Sequence, residues 1–174
     1  MTQDCMLRLA EPADAAALSL VAGASFLEAF ADLLPGADIV AHCAAKSSPA
    51  AFADWLADDA SIVVLAARTT TGAPLGYTVL TTPHFPIATG PTDIELKRIY
   101  TLGLTHGTGL GPALIDRAIA DAQAGGYTRV LLGVHPQNHR ARRFYERTGF
   151  RVIGERTFTV GTQTLLDPIY ARDL

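Results

Sequence analysis

The spacing of apolar residues switches from helical to extended and back along the chain. Cys5–Ala10 is short and apolar and reads as an edge strand. Glu11-Pro12-Ala13-Asp14 resembles a helix start, with proline in the first turn and acids at the positive end of the dipole; an alanine-rich helical stretch follows to about Phe30. Pro35-Gly36 breaks it, and Asp38–Lys46 and Pro49–Ala57 read as two shorter helices parted at Ser47-Ser48-Pro49. From Ser61 the pattern turns β-like. Ile62–Ala67 and Leu75–Thr82 are apolar runs around a turn cluster at Thr69–Pro74, which predicts a hairpin. His84–Thr92 is loop and Ile94–Leu102 is strand again. Leu110, Leu114, Ile115, Ala118, Ile119 and Ala122 then form one apolar side of a helix that Gly125-Gly126 ends. Val130–Val134 is a strand, Asn138–Thr148 a helix closed by Gly149, and Phe150–Thr159 and Thr164–Tyr170 a last pair of strands around Gly161-Thr162. The order is strand, helices, three strands, helix, strand, helix, two strands. It predicts an α/β protein, one domain over residues 1–174, antiparallel in its first half with a crossover later.

Composition narrows the function classes. Hydrophobic residues make up 49% of the chain and charged ones 18%, enough for a substantial core and too apolar for long disorder. The net charge of −3 is unevenly placed. Residues 1–90 hold nine acidic against three basic residues, and residues 91–174 eight against eleven. No basic stripe suits nucleic acid; the basic half suits an anionic small ligand and the acidic half a cationic partner. Cys5 and Cys43 make no metal-type or redox-type pair. Among the histidines, Pro136 and the helix start part His135 from His139, so no metal set is expected. There is no basic segment followed by an apolar run at the start, and no uncharged apolar stretch near the ~20 residues a bilayer needs. A cytoplasmic protein without metal, membrane or nucleic-acid partner is the expectation.

The chemistry concentrates where a strand delivers the chain into His106-Gly107-Thr108-Gly109-Leu110-Gly111 and then a helix. Glycines there can turn successive N–H groups toward one point, and the helix dipole adds partial positive charge. Such a turn binds phosphate, although a plain strand-to-helix turn has the same composition. A Walker loop is excluded, because Pro112-Ala113 follows Gly111 where Lys-Ser/Thr is required. A dinucleotide-binding turn would follow the first strand of a parallel unit, and this one lies mid-chain after antiparallel strands.

From about Ile94 to Gly154 the sequence resembles the GCN5-related N-acyltransferases. The family's phosphate loop, Gln/Arg-x-x-Gly-x-Gly/Ala, is matched by His106–Gly111, with His106 in place of Gln or Arg and Pro112 removing one N–H donor. Glu95-Leu-Lys-Arg-Ile-Tyr-Thr101 resembles the family's fourth strand. Asn138-His-Arg-Ala141-Arg-Arg-Phe-Tyr145-Glu-Arg-Thr-Gly149-Phe150 fits its Asn-x-x-Ala-x-x-x-Tyr-x-x-x-Gly-Phe block. The resemblance implies a mixed, mostly antiparallel sheet of about six to seven strands, helices on both faces, and fourth and fifth strands that splay to admit the pantetheine arm of acetyl-CoA.

It also implies roles. Main-chain groups at Ile99, Tyr100 and Thr101 would pair with pantetheine; His106, Gly107, Thr108, Gly109, Leu110 and Gly111 would hold the pyrophosphate; Asn138, Ala141 and Arg143 would meet the cofactor from the other side. Tyr145 would protonate the leaving thiolate and Glu95 would act as general base, often through water. An N–H near Tyr100 or Thr101 would meet the oxyanion. Asn138, Ala141 and Tyr145 fall at i, i+3 and i+7 on one helix face. Asn138 is equally a helix cap, Tyr145 equally a core residue, and Glu95 equally a surface carboxylate. Phe26-Leu-Glu-Ala-Phe30, the Glu95–Tyr100 strand start and the Val152–Thr159 tail are similar to bacterial spermidine/spermine-type N-acetyltransferases, which makes Glu28 and Phe30 candidate acceptor contacts. Glu28, Asp32, Asp54, Asp58 and Asp59 would draw a polyamine. The expected activity is acetyl transfer to a primary amine of a small molecule or peptide, in a protein that the family allows to be a homodimer. The alternative is a non-catalytic acyl-CoA sensor.

Overall fold

A computed structural model describes residues 4–160 and 163–174. The elements run β1 (Cys5–Leu9), a 3₁₀ turn (Pro12–Asp14), α1 (Ala15–Phe30), α2 (Gly36–Lys46), α3 (Pro49–Ala57), β2 (Ile62–Arg68), β3 (Pro74–Thr81), β4 (Asp93–Thr101), a second 3₁₀ turn (Gly103–Thr105), α4 (Leu110–Ala124), β5 (Arg129–Gly133), α5 (His139–Arg147), β6 (Arg151–Val160) and β7 (Gln163–Asp173). They build one seven-stranded sheet in the order β1-β2-β3-β4-β5-β7-β6. The first four strands are antiparallel neighbours, β4 and β5 run parallel across the α4 crossover, and β7 pairs antiparallel with both β5 and β6. The expected α/β sheet is therefore present. The Gly161-Thr162 turn expected between the last two strands lies outside the described residues.

Apolar residues along β2 are continuous because both sheet faces are covered. Val63 and Leu65 pack with Leu18, Val21, Ala22 and Phe52 from α1 and α3. Val64 and Ala66 point the other way, onto Leu110 and Leu114 of α4. All six residues expected on the apolar side of α4 are buried. The 19-residue run Pro12–Phe30 is long and apolar enough to cross a membrane by length and composition. It carries Asp14 and Glu28, however, and its apolarity is used internally, with Leu18, Val21, Ala22, Phe26 and Phe30 all in the core.

Two features position the site. One is a bulge: the β3–β4 register steps from Val79 opposite Arg98 to Leu80 opposite Leu96, leaving Lys97 as an extra residue. The other is the shortness of β4–β5 pairing, which spans Asp93–Glu95 against Arg129–Leu131 and then stops. At its closed end Asp93 accepts two hydrogen bonds from Arg129, at 2.8 and 2.6 Å, and one from the Gly90 N–H. Thr128 N donates to the Thr92 carbonyl beside them.

That clamp gives the fold an acid limit. The Arg129 hydrogen bond, helped by Gly90 N–H and opposed by burial, holds the Asp93 carboxyl below its usual range. A depressed carboxylate contributes stability above its unfolded value and loses it as pH falls through the folded one. Asp93→Asn should cost about 2 kcal/mol at neutral pH. The gap between wild type and variant should shrink below about pH 4. Urea unfolding at pH 7 and at pH 3 checks both.

Candidate active site

Beyond Glu95 the outer edge of β4 has no strand partner, and a cleft of about 700 Å³ opens there. Leu96 to Thr101 form one wall, the loop after β4 the mouth, and Gly133 to His135 with α5 the opposite wall. The backbone groups of Leu96–Thr101 that point away from β3 are left for a ligand that can pair like a strand. Ile99, Tyr100 and Thr101, expected to meet pantetheine, all line the cleft.

At the mouth, Gly107 and Gly109 take φ of +81° and +91°, conformations that favour glycine. Gly109 is the N-cap of α4. Within this loop the His106 N–H donates to Gly103 O and the Thr108 N–H to Thr105 O, so these two amides are held by the loop itself. The N–H groups of Gly107, Gly109, Leu110 and Gly111 have no partner among the described residues. Four free donors at a helix N-terminus suit an anion. The Leu110 side chain points inward and is core, so that residue contributes its amide alone. The His106 imidazole reaches across the mouth: Arg140 Nη1 donates to its Nδ1 at 2.8 Å.

On α5 the Asn138 Oδ1 accepts from Ala141 N–H at 3.0 Å, capping the helix, while the residue also lines the cleft. Ala141 and Tyr145 face the same space. Tyr145 packs its ring on Phe144, Phe150 and Tyr170, and its hydroxyl makes no hydrogen bond among the described residues. Burial, then nearby Tyr100, raises its pKa, so it stays protonated at neutral pH. Arg143 is exposed and does not line the cleft; Arg140 and Arg147 of the same helix do.

Glu95 is only 1% exposed and sits on the last paired rung instead of on the surface. Its Oε2 accepts from His84 N–H at 3.0 Å, and its Oε1 lies 3.2 Å from Lys97 Nζ and 3.7 Å from Arg156 Nη1. Arg156, on β6, spans the sheet to arrive there. Its guanidinium lies 4.9 Å from both the Phe85 and Phe158 rings and 3.9 Å from Asp167, its register partner on β7. It rests against Gly133, where a Cβ would overlap it. Burial pushes the Asp167 carboxyl up to about 6 despite Arg156.

The α1 side of the cleft is aromatic. Phe30 packs edge-on against His135 and tilted against Phe26, which stacks on His42. Burial, then Arg98 and Lys46, lowers the His42 pKa to about 4. Phe30 lines the cleft as expected. Glu28 also lines it, but its carboxylate accepts from Gly103 N–H at 2.6 Å and anchors the turn after β4 to α1. Sequence reasoning missed Arg156, Gly133, Asp167 and His135 as neighbours of the site, because only the β5–β7–β6 register brings them together. The Gly133-Val-His135-Pro136 strand end was the available signal.

Gly133→Ala should displace the Arg156 guanidinium from between its two rings, at a cost of about 1–3 kcal/mol. In an Arg156→Ala background the same change should cost much less, which a double-mutant cycle by thermal unfolding reads directly.

Comparison with known proteins agrees with this geometry. The model of the acetyltransferase (GNAT) family matches residues 27–150. An uncharacterized N-acetyltransferase of Mycobacterium tuberculosis is 35% identical over 161 residues, covering 92% of this chain and 98% of that protein. The mycothiol acetyltransferase of Beutenbergia cavernae is 44% identical over 64 residues, 35% of this chain and 22% of that one. Among solved structures, the PaiA N-acetyltransferase of Thermoplasma acidophilum in complex with coenzyme A superposes with a TM-score of 0.80 at 21% identity, over 98% of this chain and 99% of that one. A strand pair that parts beside a glycine-rich helix start, in a chain matched over most of its length, places this protein in the GNAT family of acetyl-CoA-dependent N-acetyltransferases.

Proposed function

We propose that the cleft carries an acetyl group from acetyl-CoA to a primary amine of a small molecule or peptide, by direct attack of the amine on the thioester. The observation that carries this reading is the unpaired edge of β4, which leads from the free amides at Gly107–Gly111 inward to Tyr145. Pantetheine lies along Ile99–Thr101 as an added strand. Its diphosphate sits on the loop amides, and Asn138 and Ala141 border it from α5. The amine enters past Phe30 and His135. A backbone N–H at Tyr100 or Thr101 meets the charge that develops on the carbonyl oxygen.

Proton transfers complete the step. The C–N bond forms, the C–S bond breaks, and the thiolate takes a proton from the Tyr145 hydroxyl, which is protonated at neutral pH and regains a proton from water as coenzyme A departs. Glu95 takes the proton of the amine through a water. A carboxylate offers about four lone-pair sites, so its contacts to His84, Lys97 and Arg156 leave room for one more. The polyamine expectation finds little support in the lining. Lys97, Arg98, Arg140 and Arg147 face the cleft with Glu28 as the only acid, and Asp32, Asp54, Asp58 and Asp59 lie outside it. The sensor reading is not favoured in a chain of this family.

Tyr145→Phe should lower kcat by about a hundredfold or more while acetyl-CoA binding by calorimetry stays within a few-fold of wild type. A full rate in that variant overturns the proton-donor role. An acceptor panel of amino acids, peptides, aminoglycosides and polyamines, read by thiol release, should favour acceptors with a single amine over spermidine.

A further inference from the structure

The mouth of the cleft holds a contact that the transferase reading leaves unused. Arg140 Nη1 donates to His106 Nδ1 at 2.8 Å, joining α5 to the glycine loop across 34 residues of sequence. Arginine keeps its charge, so it acts only as donor; His106 Nδ1 must carry the lone pair and the proton resides on Nε2. The imidazole is thus held neutral as long as the contact lasts. Both side chains line the cleft, and the four free amides at Gly107, Gly109, Leu110 and Gly111 belong to the same loop.

We infer that His106 and Arg140 are a paired phosphate clamp whose mutual hydrogen bond is exchanged, when coenzyme A binds, for one contact each to the diphosphate, with His106 taking up a proton. This rests on the proposed cofactor site and adds a residue to it. Arg140, and not Arg143, is the α5 cation that reaches the loop.

The exchange follows from charge. Burial and then the Arg140 guanidinium lower the His106 pKa, with Glu28 of α1 opposing them. Glu28 is held in place by Gly103 N–H, so its field is fixed. Arg140 and Arg147 are the α5 cations that line the cleft, and Arg140 is the one in contact with His106. A diphosphate between loop and helix gives Arg140 an anionic acceptor that it prefers to a neutral imidazole. The two negative charges then favour the imidazolium. Removing a nearby cation contact and adding an anion both raise the value, so the bound protein holds more protons than the free one. By linkage, coenzyme A affinity rises as pH falls through the interval from the bound value to the lower free value.

The experiment is calorimetry of coenzyme A binding at pH 7 in buffers of differing ionisation enthalpy. Wild type should take up a measurable fraction of a proton per ligand. Dephospho-coenzyme A, which keeps the diphosphate and lacks the 3′-phosphate, should give the same uptake. His106→Gln should bind with no uptake and with affinity much less dependent on pH. Arg140→Gln should bind more weakly with a smaller uptake, because its free His106 is already more basic. Uptake unchanged in His106→Gln, or lost with dephospho-coenzyme A, overturns the inference while leaving the cofactor site standing. No binding of coenzyme A at all overturns both.

Discussion

The parting of β4 from β5 after three residue pairs is the constraint on which the site depends. Had the two strands stayed paired to the end of β5 at Gly133, Leu96 and Lys97 would also have spent their outward backbone groups on β5, and the open edge would begin only at Arg98. Pairing stops at Leu131, two residues before β5 ends at Gly133 and the chain turns through His135-Pro136 into α5, and on β4 the bulge against β3 follows at Lys97. The clamp of Asp93 with Arg129 and Gly90 holds the closed end, so the parting has a fixed hinge. A sheet edge of this kind is normally a liability, and here α5 and the glycine loop confine it to a cleft of limited width.

Charge is divided along that cleft. Free amides, His106 and Arg140 are at the mouth, where a cofactor's phosphates would sit. At the inner end the buried acids Glu95 and Asp167 and the half-buried Arg156 form a charge cluster that the exposed Lys97 joins from outside, with Phe85 and Phe158 against the guanidinium. Arg156 bonds closely with neither acid, at 3.7 and 3.9 Å, and its Nε is buried without a partner. Such a cluster contributes little net stability and much geometric definition. Its value is in fixing where the last carboxylate before the cleft stands.

Element types and order were legible because helix and strand periods are local properties. Ile62–Arg68 and Pro49–Ala57 follow the apolar pattern almost to the residue, and the Leu110–Ala122 stripe is the buried side of α4. The glycine loop and the Asn138–Tyr145 spacing were legible for the same reason, since each is built within one turn and one helix. What escaped depends on register between distant strands. Lys97 as a bulge, Gly133 as the floor under Arg156, and Asp167 opposite Arg156 follow from pairings that no single segment encodes. Glu28, expected as an acceptor contact, lines the cleft, and its bond to the Gly103 amide, a partner 75 residues away, was not legible. The choice between Arg143 and Arg140 turned on the rotation of α5, which spacing alone leaves open.

Amide hydrogen exchange with and without acetyl-CoA tests the central claim most directly. New protection should appear on β4 after Glu95, at Leu96–Thr101, and on the loop amides of Gly107, Gly109, Leu110 and Gly111, with the paired rung at Ile94 unchanged. Protection spread evenly over the sheet, or absent from that edge while the cofactor is bound, would contradict the account.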